Sequence, residues 1–201
     1  MEIFEYKTIE KAVEETLLKE KGSKFLGYAY PVNNERELKD ALDSIRTIHP
    51  KATHHCYAFR MGLNGENYRA NDDGEPSGSA GLPIYNQLLA NDLTNILVVV
   101  VRYYGGTKLG VSGLVKTYKE SAKLTLEESN IVTRELETSI NINFPFHMQN
   151  VIFTVLNKFD AKVVNFDANE NCIITASLKK KIQDNLQEAL SDMQHITFEF
   201  E

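Results

Sequence analysis

The sequence predicts an α+β fold in two domains, and three observations support that prediction. All 11 glycines and four of the five prolines lie in residues 1–133, so the composition changes sharply near residues 132–137. Short runs of alternating polar and apolar residues, typical of strands, are interspersed with helical periodicity along the chain. In the last part these patterns follow the order βαββαβ, which is the order of a ferredoxin-like plait. We therefore expect an α+β domain at residues 1–133 and a ferredoxin-like domain at residues 134–201.

The elements expected in the first domain are bounded by residues that form turns or end helices. Glycine-containing pairs at residues 21–22 and 64–65 indicate hairpin turns. His49-Pro50 ends one helix, and Ser112 is expected to cap another. The expected strands are residues 13–18, 24–30, 53–61, 68–70 and 95–102, and the expected helices are residues 35–48, 80–89 and 113–128.

The second domain follows the plait order without interruption. Its expected strands alternate apolar and polar residues, which places one face of each strand on a core and leaves the other face to solvent. Its expected helices carry apolar residues at helical spacing. The strands are expected at residues 137–143, 162–166, 172–177 and 195–200, and the helices at residues 147–159 and 178–193.

The composition is that of a soluble globular protein. The hydrophobic share is 42% and the charged share 25%, and no apolar run approaches the ~20 residues of a membrane span. The N-terminal sequence lacks the apolar core of a signal peptide, so we expect a cytoplasmic protein with no membrane partner. The net charge of −6 argues against a general nucleic-acid coat, and no DNA partner is expected.

Cysteine and histidine usage predicts neither a metal site nor a cofactor. Cys56 and Cys172 are far apart in sequence, so a disulfide is not expected, and no CxxC motif or Cys/His cluster indicates zinc. On the strand at residues 53–61, His54 and Cys56 share one face, and His55 lies on the other, apolar face. A nucleophilic pair of His54 and Cys56 lacks a third, orienting group. We therefore expect Cys56 to be a small buried residue and His55 to be a hydrogen-bonded core residue.

A buried strand that ends in polar and aromatic residues is the most informative feature of the chain. The β-branched run at residues 96–101 predicts a strand that is buried on both faces, and Arg102, Tyr103 and Tyr104 follow it directly. A cation, two aromatic rings and flexible glycine backbone at one sheet edge suit an anionic or nucleobase-bearing partner. Because successive strand residues face opposite ways, we expect one tyrosine to pack inside and the other to be exposed.

A glycine-rich loop at residues 105–113 leads from this strand into a helix. Backbone N–H groups at a helix N-terminus attract anions, and Lys108 would add a positive charge. The glycine spacing matches neither a Walker A loop nor the dinucleotide-binding fingerprint. The alternative interpretation is that the glycines only form a tight strand-to-helix turn.

An acidic loop lies upstream, with Asp72, Asp73, Glu75 and Ser77 in a stretch rich in Gly and Pro. It is either a polar contact surface or a solvated turn whose carboxylates accept loop N–H groups. A metal site is not expected there, since no full set of oxygen ligands has the spacing of a metal loop. Arg102 could pair with one of these carboxylates as a structural clamp, or it could contact a ligand, and the sequence leaves both open.

Three separated motifs, in the right order, resemble the signature of the YigZ/IMPACT family. They are residues 53–60 (THHCYAFR), residues 72–78 (DDGEPSG) and residues 81–110, which contain RYYGG. The resemblance implies a small soluble protein that is tied to translation. It also implies a first domain similar to the second domain of a small-subunit ribosomal protein and to the penultimate domain of elongation factor G. The second domain is similar to the last domain of that factor, although fold alone is a weak guide to function.

These observations lead to competing hypotheses about function. The first is a non-enzymatic, translation-associated regulatory protein that binds the ribosome, RNA or a translation-related protein, with no catalytic residue assigned. The second is an enzyme that acts on a small phosphorylated or nucleotide ligand beside the glycine-rich helix entry. The third is a structural interaction module, in which the motifs serve as turns and clamps. The residues expected to form the binding surface are His54, Arg60, Asp72, Asp73, Glu75, Ser77, Arg102, Tyr103, Tyr104, Gly105, Gly106, Lys108 and Gly110.

Overall fold

The computed structural model describes residues 3–168 and 171–201. It contains two compact units, of which one is Tyr6–Arg134 and the other combines Glu135–Glu201 with residues 3–5. Helices and strands occur in both units, which confirms the predicted α+β class. The elements of the first unit and its margins are β1 (Glu5–Ile9), β2 (Val13–Glu20), β3 (Ser23–Pro31), α1 (Glu35–Ile48), β4 (His54–Met61), β5 (Asn67–Asn71), α2 (Gly81–Ala90), β6 (Ile96–Tyr103), α3 (Gly110–Glu127) and β7 (Ile131–Glu135).

The first unit, within which every residue is described, is built on a five-stranded sheet in the order β2-β3-β6-β4-β5. All neighbouring strands are antiparallel. The central strand β6 is buried on both faces, because its β-branched residues pack under helices on each side. Helix α1 covers one face through Leu42 and Ile45, and helices α2 and α3 cover the other through residues that include Ile84 and Tyr118.

Two local features explain the predicted hairpin of β2 and β3 and the predicted start of helix α1. Lys21 and Gly22 have φ values of 44° and 81°, which is the backbone that a two-residue hairpin turn requires between β2 and β3. Helix α1 begins after Asn34, whose side-chain oxygen accepts the N–H of Glu37 at 2.9 Å. This N-cap fixes the start of α1 at the predicted residue.

Two features of the first unit differ from the prediction. The strands β1 and β7 form a two-stranded sheet that the sequence pattern did not indicate. Helix α3 begins at Gly110, so the expected cap at Ser112 is wrong, and Ser112 lies exposed in the first turn of the helix. Gly110 has a φ of 73°, and this left-handed residue turns the chain into the helix before Ser112 is reached.

The described part of the second unit has the predicted ferredoxin-like topology. Its four-stranded sheet has the order β11-β8-β10-β9, with antiparallel neighbours throughout and two helices packed through Ile152, Leu156, Leu186 and Leu190. Both helices are shorter than expected, and Leu178 belongs to a strand rather than to a helix. The elements are β8 (Glu137–Pro145), α4 (Gln149–Lys158), β9 (Lys162–Ala168), β10 (Asn171–Lys179), α5 (Gln183–Ser191) and β11 (Thr197–Phe200).

A fragment of residues 134–201 is expected to fold alone, although with low stability, because small domains bury little apolar surface. It retains the whole second core but loses the hydrogen bond from the Leu136 N–H to the Phe4 carbonyl oxygen, which is 2.7 Å long. Thermal unfolding followed by circular dichroism should show a cooperative transition. A featureless melt together with collapsed amide dispersion would contradict an independent second domain.

Candidate functional site

Three sequence motifs meet at one end of the large sheet. In the β4–β6 pairing His54 is opposite Arg102, so the start of one motif lies beside the end of another. The acidic loop at residues 72–78 folds over this pair. Helix α3 starts a few residues after β6, and this places the glycine-rich loop at the same sheet edge.

A buried ion pair between Arg102 and Glu75 is the centre of this arrangement. Arg102 Nη1 lies 2.6 Å from Glu75 Oε1, with side chains 6% and 4% exposed. The Tyr118 hydroxyl donates to the same oxygen at 2.8 Å, and His54 Nε2 lies 3.8 Å from it. The guanidinium also lies 5.5 Å from the ring centroid of Tyr104. Arg102 therefore clamps the acidic loop to the sheet, through Glu75 rather than through Asp72 or Asp73.

Asp72 and Asp73 hold backbone in place. Asp72 Oδ1 accepts the N–H groups of Ala80 and Gly81 at 2.9 and 2.8 Å, and so caps helix α2. Asp73 Oδ2 accepts the N–H of His55 at 2.6 Å, and the Asp73 carbonyl oxygen accepts from His54 Nδ1 at 2.7 Å. These two carboxylates therefore have the turn-stabilising role that the sequence left open, whereas Ser77 is exposed.

A cavity of about 440 Å³ opens above the ion pair. Its floor is polar, formed by His54, Glu75 and Arg102, and one wall is the chain from Lys108 into helix α3. Its volume lies in the range that small ligands or inserted side chains occupy. The residues that line it are Thr53, His54, Glu75, Pro76, Arg102, Tyr104, Lys108, Leu109, Gly110, Val111 and Leu114.

The glycine-rich loop is anchored at one end and open at the other. Gly105 packs against the β2–β3 turn, where a Cβ would overlap the backbone of Gly22, and its N–H donates to Ser23 Oγ at 3.1 Å. Gly106 and Gly110 have φ values of 87° and 73° and open space where a Cβ would lie. The N-cap residue of α3, Leu109, makes no side-chain hydrogen bond to the helix, and Gly110 and Val111 of its first turn line the cavity.

Tyr103 is partly buried against the core and Tyr104 is exposed, which agrees with the expectation that one tyrosine packs inside and the other does not. The Tyr103 hydroxyl lies 3.0 Å from His49 Nδ1, and the other ring nitrogen of His49 lies 2.6 Å from the Tyr28 hydroxyl. Burial raises the pKa of Tyr28 to about 12, with nearby carboxylates such as Glu15 adding to the shift. Tyr104 is 46% exposed. It lines both the 440 Å³ cavity and a second cavity of about 360 Å³, which Tyr103 and His49 also line.

Cys56 is fully buried beneath the acidic loop. Its Sγ lies 3.0 Å from the Asp72 carbonyl oxygen and 3.3 Å from the Tyr118 hydroxyl. Burial raises the pKa of this thiol far above its ordinary value, so the reactive thiolate is disfavoured. The geometry agrees with the small core residue expected from the sequence.

Replacing Cys56 with Ala is expected to lower the free energy of unfolding by about 1 kcal/mol and to leave partner binding intact, because only a small packing group is removed. Urea denaturation measures the first effect, and co-sedimentation with ribosomes measures the second. Cys172→Ala, which changes the buried cysteine of the other unit, is the matched control. Loss of binding by a stably folded Cys56→Ala protein would show that Cys56 has a functional role.

Arg60 does not join the other predicted site residues. It pairs with Ile96 at the opposite end of β4 and β6, and its guanidinium donates to the carbonyl oxygens of Leu93 and Asn64 at 2.8 and 3.0 Å. Tyr118, by contrast, was missed, although its hydroxyl orients Glu75. Its only signal in the sequence is the helical spacing from Leu114, which marks a buried face rather than a site.

The described residues contain no group of three or more His, Cys, Asp or Glu side chains placed to hold a metal ion. Within the same part of the chain, none of the helices has the length and apolar character that crossing a membrane requires.

Comparison with known proteins assigns the family. IMPACT family member YvyE of Bacillus subtilis is 39% identical over 131 residues, which cover 65% of this chain and 60% of that protein. IMPACT family member YigZ of Escherichia coli is 32% identical over 160 residues, which cover 79% of this chain and 78% of that protein. A crystal structure described as that of a hypothetical protein covers 98% of this chain and 97% of its own, with a TM-score of 0.72 and 27% identity.

The aligned region contains the site described above. A family model described as the Impact N-terminal domain matches residues 21–126, which include β4, the acidic loop, β6 and all of α3 except its last residue. The motifs at residues 53–60, 72–78 and 81–110 all lie inside this match. The chain therefore belongs to the IMPACT family.

Proposed function

We propose that this protein is a translation-associated regulatory protein of the cytoplasm, which binds the ribosome, RNA or a translation factor. Membership of the IMPACT family supports the link to translation, since the resemblance implies a protein of that kind. The observation that carries the proposal is the cavity above the Glu75–Arg102 pair, at which the motifs of the family converge. The contact surface is the cavity rim, formed by Tyr104, Lys108 and the N-terminus of α3.

The rim combines two kinds of contact. Tyr104 offers an exposed aromatic ring for stacking, and Lys108 with the first N–H groups of α3 offers positive charge to an anionic group. The clamp beneath them fixes the rim, because Glu75 and Arg102 are both buried and paired. The net charge of −6 limits the electrostatic contribution, so we expect modest, salt-sensitive affinity.

Lys108→Glu is expected to weaken ribosome binding and to lower the slope of log K against log salt by about 1, because one anion contact is lost. Co-sedimentation at two salt concentrations gives both quantities. Lys119→Glu is the matched control, since Lys119 is exposed on the same helix and does not line the cavity. Equal loss of binding in both variants would indicate a general charge effect and would contradict a specific role for Lys108.

The two tyrosines provide a second, independent comparison, in which binding and unfolding are both measured. Tyr104→Ala should cost ~1–3 kcal/mol of binding free energy if the ring stacks on a base. Tyr103→Ala should instead lower the free energy of unfolding, because its hydroxyl contacts the buried His49. Unchanged affinity in both Lys108→Glu and Tyr104→Ala would remove the rim from the binding surface.

An enzyme that acts on a small phosphorylated or nucleotide ligand is the second candidate. The cavity volume of about 440 Å³ supports it, as does the position of His54 beside Glu75 at its floor. Nucleotides that bind the folded state would raise the melting temperature, and a ligand at 100 times its Kd stabilises by about 2.7 kcal/mol. A nucleotide-specific thermal shift that Lys108→Glu abolishes would favour this enzyme.

A further inference from the structure

The two outer strands of the five-stranded sheet differ in how well their free edges are protected. The strand β2 has a bulge between Val13 and Thr16 and four charged side chains, and both features hinder pairing of an edge with another chain. The strand β5 pairs with β4 in an unbroken register, and Arg69 is its only charged residue. Apart from that ladder, no backbone hydrogen bond within the described chain reaches Tyr68, Arg69 or Ala70. The outer edge of β5 is therefore open to another strand.

An apolar surface borders this open edge. The rings of Tyr68 on β5 and Tyr85 on α2 are stacked, with centroids 5.2 Å apart and an interplanar angle of 24°, and Tyr68 is 60% exposed. Leu82 and Leu89 share a face of α2 with Tyr85, because they lie three and four residues from it, and they are 49% and 46% exposed. Gly81 approaches the backbone of β5 so closely that a Cβ would overlap it. Helix and strand therefore run side by side, and their exposed apolar side chains are of the kind found at protein interaction sites.

Arg69 adds an unpaired charge to the same edge. It is exposed, and it lies on the opposite face of β5 from Tyr68 because successive strand residues alternate. Its guanidinium makes no hydrogen bond or ion pair within the described chain. Opposite charges directly across two neighbouring strands are stabilising, and like charges are destabilising. A strand added to β5 is therefore favoured when it places a carboxylate across from Arg69.

The same charge disfavours a second copy of β5 as the added strand. Two-fold antiparallel pairing about the strand centre, with Asn67 across from Asn71, would place the two copies of Arg69 directly opposite each other. A shift by two residues, the smallest that keeps the faces aligned, would separate the two guanidinium groups. It would leave only three of the five residues of each strand paired. The charge and the length of β5 therefore favour a different chain with an acidic residue.

We propose that β5 binds an extended peptide segment of a partner protein by strand addition, and that the segment has the pattern apolar–acidic–apolar. The acidic side chain lies across from Arg69, and the two apolar side chains lie across from Tyr68 and Ala70, on the face of the stacked tyrosines. In strand addition, main-chain hydrogen bonds provide affinity and alternate side chains provide specificity. None of these residues lines the 440 Å³ cavity, so this surface is distinct from the rim of the proposed function.

Chemical-shift titration of the full-length ¹⁵N-labelled protein tests the charge pattern. The probes are N-acetyl-Thr-Val-Glu-Val-Thr-amide and the same peptide with lysine in place of glutamate. We expect the glutamate peptide to bind about fivefold tighter, with the largest shifts in residues 67–71 and 82–89. Arg69→Glu should reverse this preference, whereas Lys19→Glu, an exposed change on the protected edge strand β2, should preserve it. Tyr68→Ala should weaken both peptides alike, because the apolar contact is common to them.

Two N-methylated forms of the glutamate peptide test the backbone pairing. An added strand forms hydrogen bonds to the edge through every second residue. Methylation of the glutamate N–H and methylation of both valine N–H groups should therefore have unequal effects. We expect one form to lose about tenfold in affinity and the other to bind like the parent peptide. No loss in either form, or equal loss in both, would contradict strand addition.

Three further outcomes would overturn the proposal. The first is the absence of shifts at millimolar concentrations of the glutamate peptide. The second is a preference for glutamate that Arg69→Glu leaves unchanged. The third is a dimer in sedimentation velocity that Tyr68→Ala converts to a monomer, which would assign the edge of β5 to a second copy. Because Lys108 lies outside this surface, each of these failures leaves the ribosome-binding test of Lys108→Glu intact.

Discussion

Replacing Arg102 with Met is expected to lower the free energy of unfolding by about 3–5 kcal/mol, because Glu75 would remain buried without its counter-charge. Glu75 is 4% exposed on its side chain and pairs with Arg102 at 2.6 Å. The Tyr118 hydroxyl, 2.8 Å from the same carboxylate oxygen, can donate one hydrogen bond but carries no charge. Urea denaturation at neutral pH, with the midpoint and the slope both fitted, measures the loss.

Two further variants test whether the loss of stability comes from the broken buried ion pair. In Glu75→Gln/Arg102→Met no charge is left buried, so this double variant should be more stable than Arg102→Met alone. Arg36→Met breaks the exposed pair with Asp40, whose side chains are 90% and 71% exposed, and should change stability by less than about 1 kcal/mol. A loss in Arg102→Met no larger than that in Arg36→Met would show that the clamp does not stabilise the fold.

The faces of the central strands were predictable from the sequence because alternation is a local property. Tyr57 and Phe59 join one core and Cys56 and Ala58 the other, as the period of two requires. The sequence left open whether Arg102 pairs with a carboxylate of the acidic loop or contacts a ligand. It could not choose Glu75, because that choice depends on Tyr118, which approaches from helix α3.

Arg60 shows the limit of reasoning from faces alone. It shares a face of β4 with His54, and the two residues were therefore grouped in one surface. Six residues along a strand separate them by about 20 Å, however, and Arg60 instead contacts the Leu93 and Asn64 carbonyl oxygens. Alternation determines the face of a side chain, but position along the strand decides whether it reaches the site.

Long-range pairing and backbone geometry account for the other differences. The sheet of β1 and β7 joins segments more than 100 residues apart in sequence, and each strand has only 5 residues. Such short strands carry little periodicity to detect. At α3, Ser112 offered a capping signal, but the left-handed backbone of Gly110 starts the helix earlier. A glycine in the sequence indicates that left-handed backbone is permitted at that position, but it does not show whether the chain adopts it.

Replacing Gly105 with Ala is expected to destabilise the protein by about 3 kcal/mol and to displace the glycine-rich loop from the β2–β3 turn. The added Cβ would overlap the carbonyl carbon and oxygen of Gly22 and the backbone nitrogen of Ser23. Backbone atoms of a tight turn cannot rotate away as a flexible side chain can, so the strain falls near the upper end of that for overpacked sites. The hydrogen bond from the Gly105 N–H to Ser23 Oγ would break with the same movement.

Gly106→Ala is the matched control, one residue further along the loop. Its Cβ would meet open space, and only the φ of 87° opposes it, so we expect a loss of about 1 kcal/mol. Chemical denaturation ranks the two variants, and ribosome co-sedimentation under folding conditions measures the effect on the rim. If Gly105→Ala is no less stable than Gly106→Ala, contact with the β2–β3 turn does not hold the loop. If the contact does position Lys108 and the N-terminus of α3, Gly105→Ala should weaken binding more than Gly106→Ala at temperatures where both proteins remain folded.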